Sequence, residues 1–273
     1  TAGGGDNMVG NADDVVGTVN VGNTPRSIAY AQDKMLMYVT NIDDGTVTIL
    51  DTAGGGDNMV GNADDVVGTV AVGNNPLDMI YAQDKMLMYV ANTDDGTITI
   101  LDTAGGGDNM VGNADDVLGT VSVGNTPNQI KYSEDMMLMF VGNADDDTVT
   151  ILDTAGGGDN MVGNADDVVG TVAVGNGVQG IAYAQDKMLM YVANAFDDAV
   201  SIVNIPTIEK ACQNSGFDTG DIRTFEFNGQ TIEQITCVNF SEQCTGMIDE
   251  LVTETQECII DNYAVLVNAL SSN

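Results

Sequence analysis

One string fixes most of what this chain can become. TAGGGDNMVGNADDV occurs at residues 1–15, 52–66, 103–117 and 154–168, at a constant spacing of 51 residues. The rest of the unit recurs with substitutions: YAQDKMLMYVTN at 30–41 returns as YAQDKMLMYVAN, YSEDMMLMFVGN and YAQDKMLMYVAN. A fixed period of this length marks a repeat architecture, in which each unit buries its apolar surface against its neighbours.

Each unit reads as four short strands. Strand d is 15–21 (VVGTVNV), strand a lies around 28–31, strand b is 35–40 (MLMYVT) and strand c is 46–51 (TVTILD). Strand c alternates Thr with Val or Ile, the period of a strand with two different faces. Strand b is apolar on both faces and so needs cover on both. Gly, Asn and Asp clusters separate the strands at hairpin intervals. A four-stranded sheet buried on both faces and repeated is a propeller blade. A β-solenoid is the competitor, but its coils are usually shorter and the tight turns here favour antiparallel pairing.

The strands are circularly offset. A lone d strand opens the chain, three full a-b-c-d sets follow, and a, b and c close at Asn204, sixteen strands in all. The expected fold is therefore all-β: a four-bladed β-propeller over 1–204 whose N-terminal strand completes the last blade. Closing the ring in this way removes both sheet edges. The same count allows the N-terminal strand to complete the last blade of a neighbouring molecule, which builds a polymer.

Residues 38–41 read YVTN, preceded by VGNTP and followed by TVTILD. Across 15–204 the ordered pattern resembles the YVTN β-propeller repeats of secreted and surface-layer-like proteins. That resemblance implies a propeller and an extracellular or cell-surface location. The family usually has more blades and shorter repeats, so two chains sharing a larger ring is a further possibility it raises.

The lengthened c-to-d connection is the least varied part of the unit. Its acidic and amide residues are Asp6, Asn7, Asp13 and Asp14; Asp57, Asn58, Asp64 and Asp65; Asp108, Asn109, Asp115 and Asp116; and Asp159, Asn160, Asp166 and Asp167. Asp51, Asp102 and Asp153 precede the complete inserts. Calcium takes six to eight oxygen ligands, and a Gly-rich, Asp-dense loop offers carboxylates, amides and carbonyls. The loop is not an EF-hand loop. The expectation is structural Ca2+ at the rim, against a merely solvated acidic face. The d-to-a links vary instead, and Arg26, Asp78, Gln129 and Gln179 in them are candidates for holding a glycan or protein ligand. The Asn-x-Asp-Asp segments between b and c read as ordinary turns.

Seven basic residues face 41 acidic ones, a formal charge of −34. Such a charge repels nucleic acid and anionic membrane, and no run approaches the roughly 18 apolar residues of a membrane span. With no His in the chain, Ser-His-Asp and His-ligated zinc sites are excluded. GGGDNMVG lacks the Lys-Ser/Thr of a phosphate loop. No unique polar cluster marks a catalytic site, so the protein reads as no enzyme, a lactonase-like hydrolase being the least supported reading. The methionines recur in strand b as core filler.

Residues 205–273 form a separate part, a small α+β domain. It holds Cys212, Cys237, Cys244 and Cys258, read as two disulfides of undetermined pairing. Residues 224–235 (TFEFNGQTIEQI) read as an Asn-Gly hairpin and 247–270 as a helix. Thr1 opens in mid-repeat, which reads as a processed or partial chain. The functional expectation is a secreted structural protein that binds calcium and assembles with itself into a filament, matrix or surface layer. The alternative is an adhesin-like, ligand-binding propeller.

Overall fold

The computed structural model describes residues 14–157, 161–205, 218–227 and 230–238. Its repeats are antiparallel sheets in which the strands follow chain order. The first is β1 (Pro25–Ala31), β2 (Leu36–Asn41), β3 (Thr46–Asp51) and β4 (Val66–Ala71). The second is β5 (Pro76–Ala82), β6 (Leu87–Asn92), β7 (Thr97–Asp102) and β8 (Val117–Ser122). The third is β9 (Pro127–Ser133), β10 (Leu138–Asn143), β11 (Thr148–Asp153) and β12 (Val168–Ala173). The fourth has three strands among the described residues: β13 (Val178–Ala184), β14 (Leu189–Asn194) and β15 (Ala199–Asn204). These repeated all-β sheets fit a propeller.

Sheet contacts run from β1 to β5, β5 to β9 and β9 to β13, so the a strands are innermost and the d strands lie at the rim. The front of one blade packs on the back of the next. Between the first two, Tyr38, Val47, Ile49 and Val70 meet Met79, Met88, Val90 and Leu101. Strand b supplies both faces, which is why β6 and β10 are buried along their whole length. The buried Asn of strand b ties the blade internally: Asn92 Nδ2 donates to Thr97 and Thr99 Oγ1 at 3.0 and 2.8 Å. Asn41 and Asn143 do the same in their blades.

The expected closure is not what the structure shows. Residues 15–21 pair with no strand among the described residues, and no contact of comparable extent joins β13 to β1. The segment is carried instead by the first blade, through contacts that the internal seams repeat, so what keeps it from β15 is the distance between the two ends of the stack. Asn23 donates from its N–H and Nδ2 to Asp44 at 2.7 and 2.8 Å, which clamps the link to β1. Thr18 N–H donates to Gly61 O at 3.1 Å, which holds the segment against the first blade. The segment lies at the opposite end of the stack from β15. Among the described residues the four blades stack in chain order, with β1–β4 at one end and β13–β15 at the other.

In the C-terminal part, β16 (Asp218–Phe227) and β17 (Gln230–Val238) form an antiparallel hairpin, longer at both ends than 224–235. The expected helix at 247–270 and the disulfides of Cys212, Cys237, Cys244 and Cys258 lie outside the described residues or side chains. Ile205 is buried with the third and fourth blades, so the packed repeat reaches one residue beyond 204. No helix of the described residues is long and apolar enough to cross a membrane.

Candidate functional site

The acidic insert folds on its own amides. Asp57 Oδ1 accepts from Met59 N–H at 2.8 Å and Asp64 Oδ2 from Asp57 N–H at 3.0 Å. Asp65 Oδ2 accepts from Gly61 and Asn62 N–H at 2.6 and 3.0 Å, capping a short 3-10 turn at Ala63–Asp65. Asp51 Oδ1 accepts from Ala53 N–H at 2.6 Å. The copy at Asp102, Asp108, Asp115 and Asp116 repeats this network. Asn58 and Asn109 hold φ of 61° at the loop tip. Of the third copy, Asp153, Asp166 and Asp167 are described; Asp159 and Asn160 are not, nor are Asp6, Asn7 and Asp13 of the first. Among the described residues, no three acidic side chains converge on one point as a ready metal centre.

The insert is more than a rim loop. Gly112 lies so close to Gly68 that a Cβ on Gly68 would stand 2.3 Å from Gly112 O. Gly163 meets Gly119 in the same way, and Gly61 meets Gly17. Each insert therefore leans on the d strand of the blade before it, backbone to backbone. Glycine is required on both sides of that approach. This contact gives a structural reason for the invariance of the inserts.

Behind the contact lies an acidic, water-poor seam. Asp116 and Asp167 are 1 % exposed, and in each the second oxygen, Oδ1, has no hydrogen-bond partner. Asp65 Oδ1 is likewise buried without a partner. Burial pushes the Asp116 and Asp167 carboxyls up, opposed by their N–H bonds and reinforced first by the adjacent Asp115 and Asp166 and then by Asp102 and Asp153 respectively. The hydroxyls of Tyr38 and Tyr89 are also buried and unpartnered. Both phenols are pushed far up, first by burial and then by the seam carboxylates, led by Asp116 for Tyr38 and Asp167 for Tyr89. Across the same seams Tyr81 donates to Asp33 at 2.6 Å and Tyr132 to Asp84 at 2.7 Å. Burial and that bond push the Tyr81 phenol up to about 12.

The variable residues are in strands rather than loops. Arg26 and Gln179 are exposed near the starts of β1 and β13. Asp78 is used internally: Oδ1 accepts from Ser27 Oγ at 3.4 Å, and Oδ2 accepts from Ile130 N–H at 3.0 Å, linking three blades. Gln129 Nε2 donates to the carbonyl of its neighbour Asn128 at 2.9 Å. The turns between b and c carry a clamp that reading them as turns misses. Asp44, Asp95, Asp146 and Asp197 each accept from the backbone and side chain of Asn23, Asn74, Asn125 and Asn176. Those Asn bonds hold the four carboxyls below their ordinary range. The recurrence of Asn and Asp at fixed positions in every unit was the available signal.

At the two ends of the stack, apolar positions that the internal seams bury are exposed. Ile202 is 60 % exposed, whereas Ile100 at the same place in the second blade is 1 %. Val200 and Phe196 are exposed beside it. At the other end Ile28 is 64 % exposed, whereas its counterpart Ile130 is 1 %. Tyr30, Val15 and Val16 are exposed with it.

No family model and no curated protein matches the chain. Solved structures do. The chain is similar to Kuenenia stuttgartiensis hydrazine synthase, with TM-score 0.52 and 18% identity over 68% of this chain and 48% of that one. It is also similar to a putative 6-phosphogluconolactonase of Bacteroides fragilis, with TM-score 0.52 and 15% identity over 78% and 55%. A third, the putative 6-phosphogluconolactonase of Bacteroides uniformis, gives TM-score 0.51 and 11% identity over 81% and 59%. The chain thus spans about half the length of each. At these identities the likeness is one of fold.

Proposed function

We propose that this is a structural protein of the YVTN-repeat kind that works outside the cell. It assembles with its own kind into a filament, matrix or surface layer, with calcium held by the rim inserts. The observation that carries this reading is the pair of bare ends. The apolar positions that every internal seam buries are open on the front of the last blade and the back of the first. Exposed patches of this kind mark interaction surfaces. A blade stack without caps is also expected to grow or to close.

Calcium is supported by three features: the invariant Asp-rich inserts, a charge of −34, and the buried carboxylate oxygens left without donors. A cation beside those oxygens offsets the cost of burying them. The ligand-binding alternative has less support, because Asp78 and Gln129 are engaged within the fold. A lactonase-like activity rests on likeness of fold alone.

The test is negative-stain imaging and sedimentation of the full chain in calcium. Regular assemblies are expected. Single particles at high concentration in calcium overturn the reading.

A further inference from the structure

Resting on the self-assembly reading, we infer that the partner at the open edge of β15 is a second copy of this chain, which donates residues 15–20 as the missing fourth strand of the last blade. Segment 15–20 reads VVGTVN and differs from β4 at one position. In the intact blades such strands pair with β3, β7 and β11. β15 is the counterpart of β3, three repeats on, and it ends its sheet among the described residues. Segment 15–20 belongs to no sheet among the described residues and is already set against the first blade. Its contact with the insert at Gly61 is the one Gly68 makes with Gly112. It therefore already occupies the place of a d strand belonging to a blade that precedes β1–β4.

The intact blades also fix the register. Ala71 pairs with Thr46, Val70 with Val47, Thr69 with Thr48 and Gly68 with Ile49. Shifted by whole repeats, Asn20 pairs with Ala199, Val19 with Val200, Thr18 with Ser201 and Gly17 with Ile202. The donated strand brings its own first blade with it, because strand d runs directly into strand a. Ile28 then covers the front of the last blade, and Tyr30 faces Asp186 as Tyr81 faces Asp33. The new junction is thus a fourth instance of a seam the molecule already builds three times. Strand addition of this kind satisfies an open edge with main-chain bonds. The contact is head-to-tail, so the rotation per step decides between a closed ring and an open filament.

A disulfide trap tests this. Thr48 and Thr69 place their Oγ atoms 3.5 Å apart, as do Thr150 and Thr171. Thr18→Cys and Ser201→Cys occupy the same pair across the junction. Full-length chains carrying one substitution each are mixed and oxidised, then compared with a Thr48→Cys/Thr69→Cys internal control. Peptide mass spectrometry separates this link from the native cysteines. A disulfide joining position 18 of one chain to position 201 of another is expected, at least about tenfold above the off-register pair Val16→Cys with Ser201→Cys, since disulfide geometry is narrow. Val19→Asp or Val200→Asp should abolish it while leaving the melting of the protomer unchanged.

In a chain carrying both Thr18→Cys and Ser201→Cys, a link formed only within one chain means the ring closes on itself and overturns the inference. Assemblies that form with no link also overturn it, and leave the self-assembly reading standing. Linked dimers that grow no further support the strand donation and overturn the filament. Links within long assemblies support both.

Discussion

Ile100 and Ile202 stand at the same position of their repeats, yet one is sealed and the other lies open. The difference is not in the strand that carries them. β7 and β15 both pair with the b strand of their blade in the same register. The difference lies in the neighbours. Ile100 has a d strand beside it and a third blade in front, and Ile202 has neither among the described residues. In this molecule local structure is set within a repeat, and burial is set by the adjoining blade.

The comparison is broken most directly by truncation. Ile100→Ala should destabilise the protein by about 2–5 kcal/mol, the usual cost of emptying a packed core position. Ile202→Ala, made in the Val19→Asp background to suppress assembly, should change stability by no more than about 0.5 kcal/mol. Urea unfolding at matched concentration measures both. Equal losses would mean that the end of the stack is as covered as its middle. Calcium should act next in size. Ions that bind only the folded inserts stabilise by about 2.7 kcal/mol at a hundredfold excess over Kd. A melting curve in calcium against one in chelator reads this, and coincident curves sink the calcium proposal.

Strand order, blade count and the out-of-phase start were legible in the sequence because they depend on local pattern. Strand c at 46–51 coincides with β3, and strand b is offset by one residue. Closure was not legible, because it depends on how far each blade turns from the last, a small rotation that no residue spells out. The insert was found by its invariance, but its Asp residues do more for their own loop than the ligand reading foresaw. Asp65 and Asp116 cap a turn. The glycines of the insert meet a glycine in the preceding blade, a pairing that only the stacked blades reveal.

That glycine pairing sharpens the same comparison at smaller scale. A methyl at Gly119 would stand 2.2 Å from Gly163 O, inside a seam closed on both sides. Gly119→Ala should cost about 1–3 kcal/mol, as overpacking does. A methyl at Gly17 meets Gly61 O at 2.3 Å, but residues 15–21 have no sheet to hold them there. Gly17→Ala should displace that segment and cost the protomer under about 0.5 kcal/mol. It should nonetheless reduce assembly, read by sedimentation, because the donor strand is no longer set in place.

The smallest effect is on pH, and it tests which groups belong to the seams. Asp116, Asp153 and Asp167 have carboxyls raised by burial. For a raised acid the native state binds more protons than the unfolded one between the two pKa values. Stability therefore climbs as pH falls through the folded pKa, and the gain is complete below the unfolded value. The clamps run the other way: Asp44, Asp95, Asp146 and Asp197 are lowered by their Asn partners. Their contribution is present above the ordinary carboxylate range and is lost as pH falls through the folded pKa. In chelator, urea midpoints should thus rise on mild acidification and drop on stronger acid. Asp167→Asn should flatten the rise and Asn74→Ala the drop. With calcium present the upper limb should reverse, because protons then compete with an ion for the same oxygens. A rise that is identical with and without calcium would place the ion, if it binds at all, away from Asp116 and Asp167.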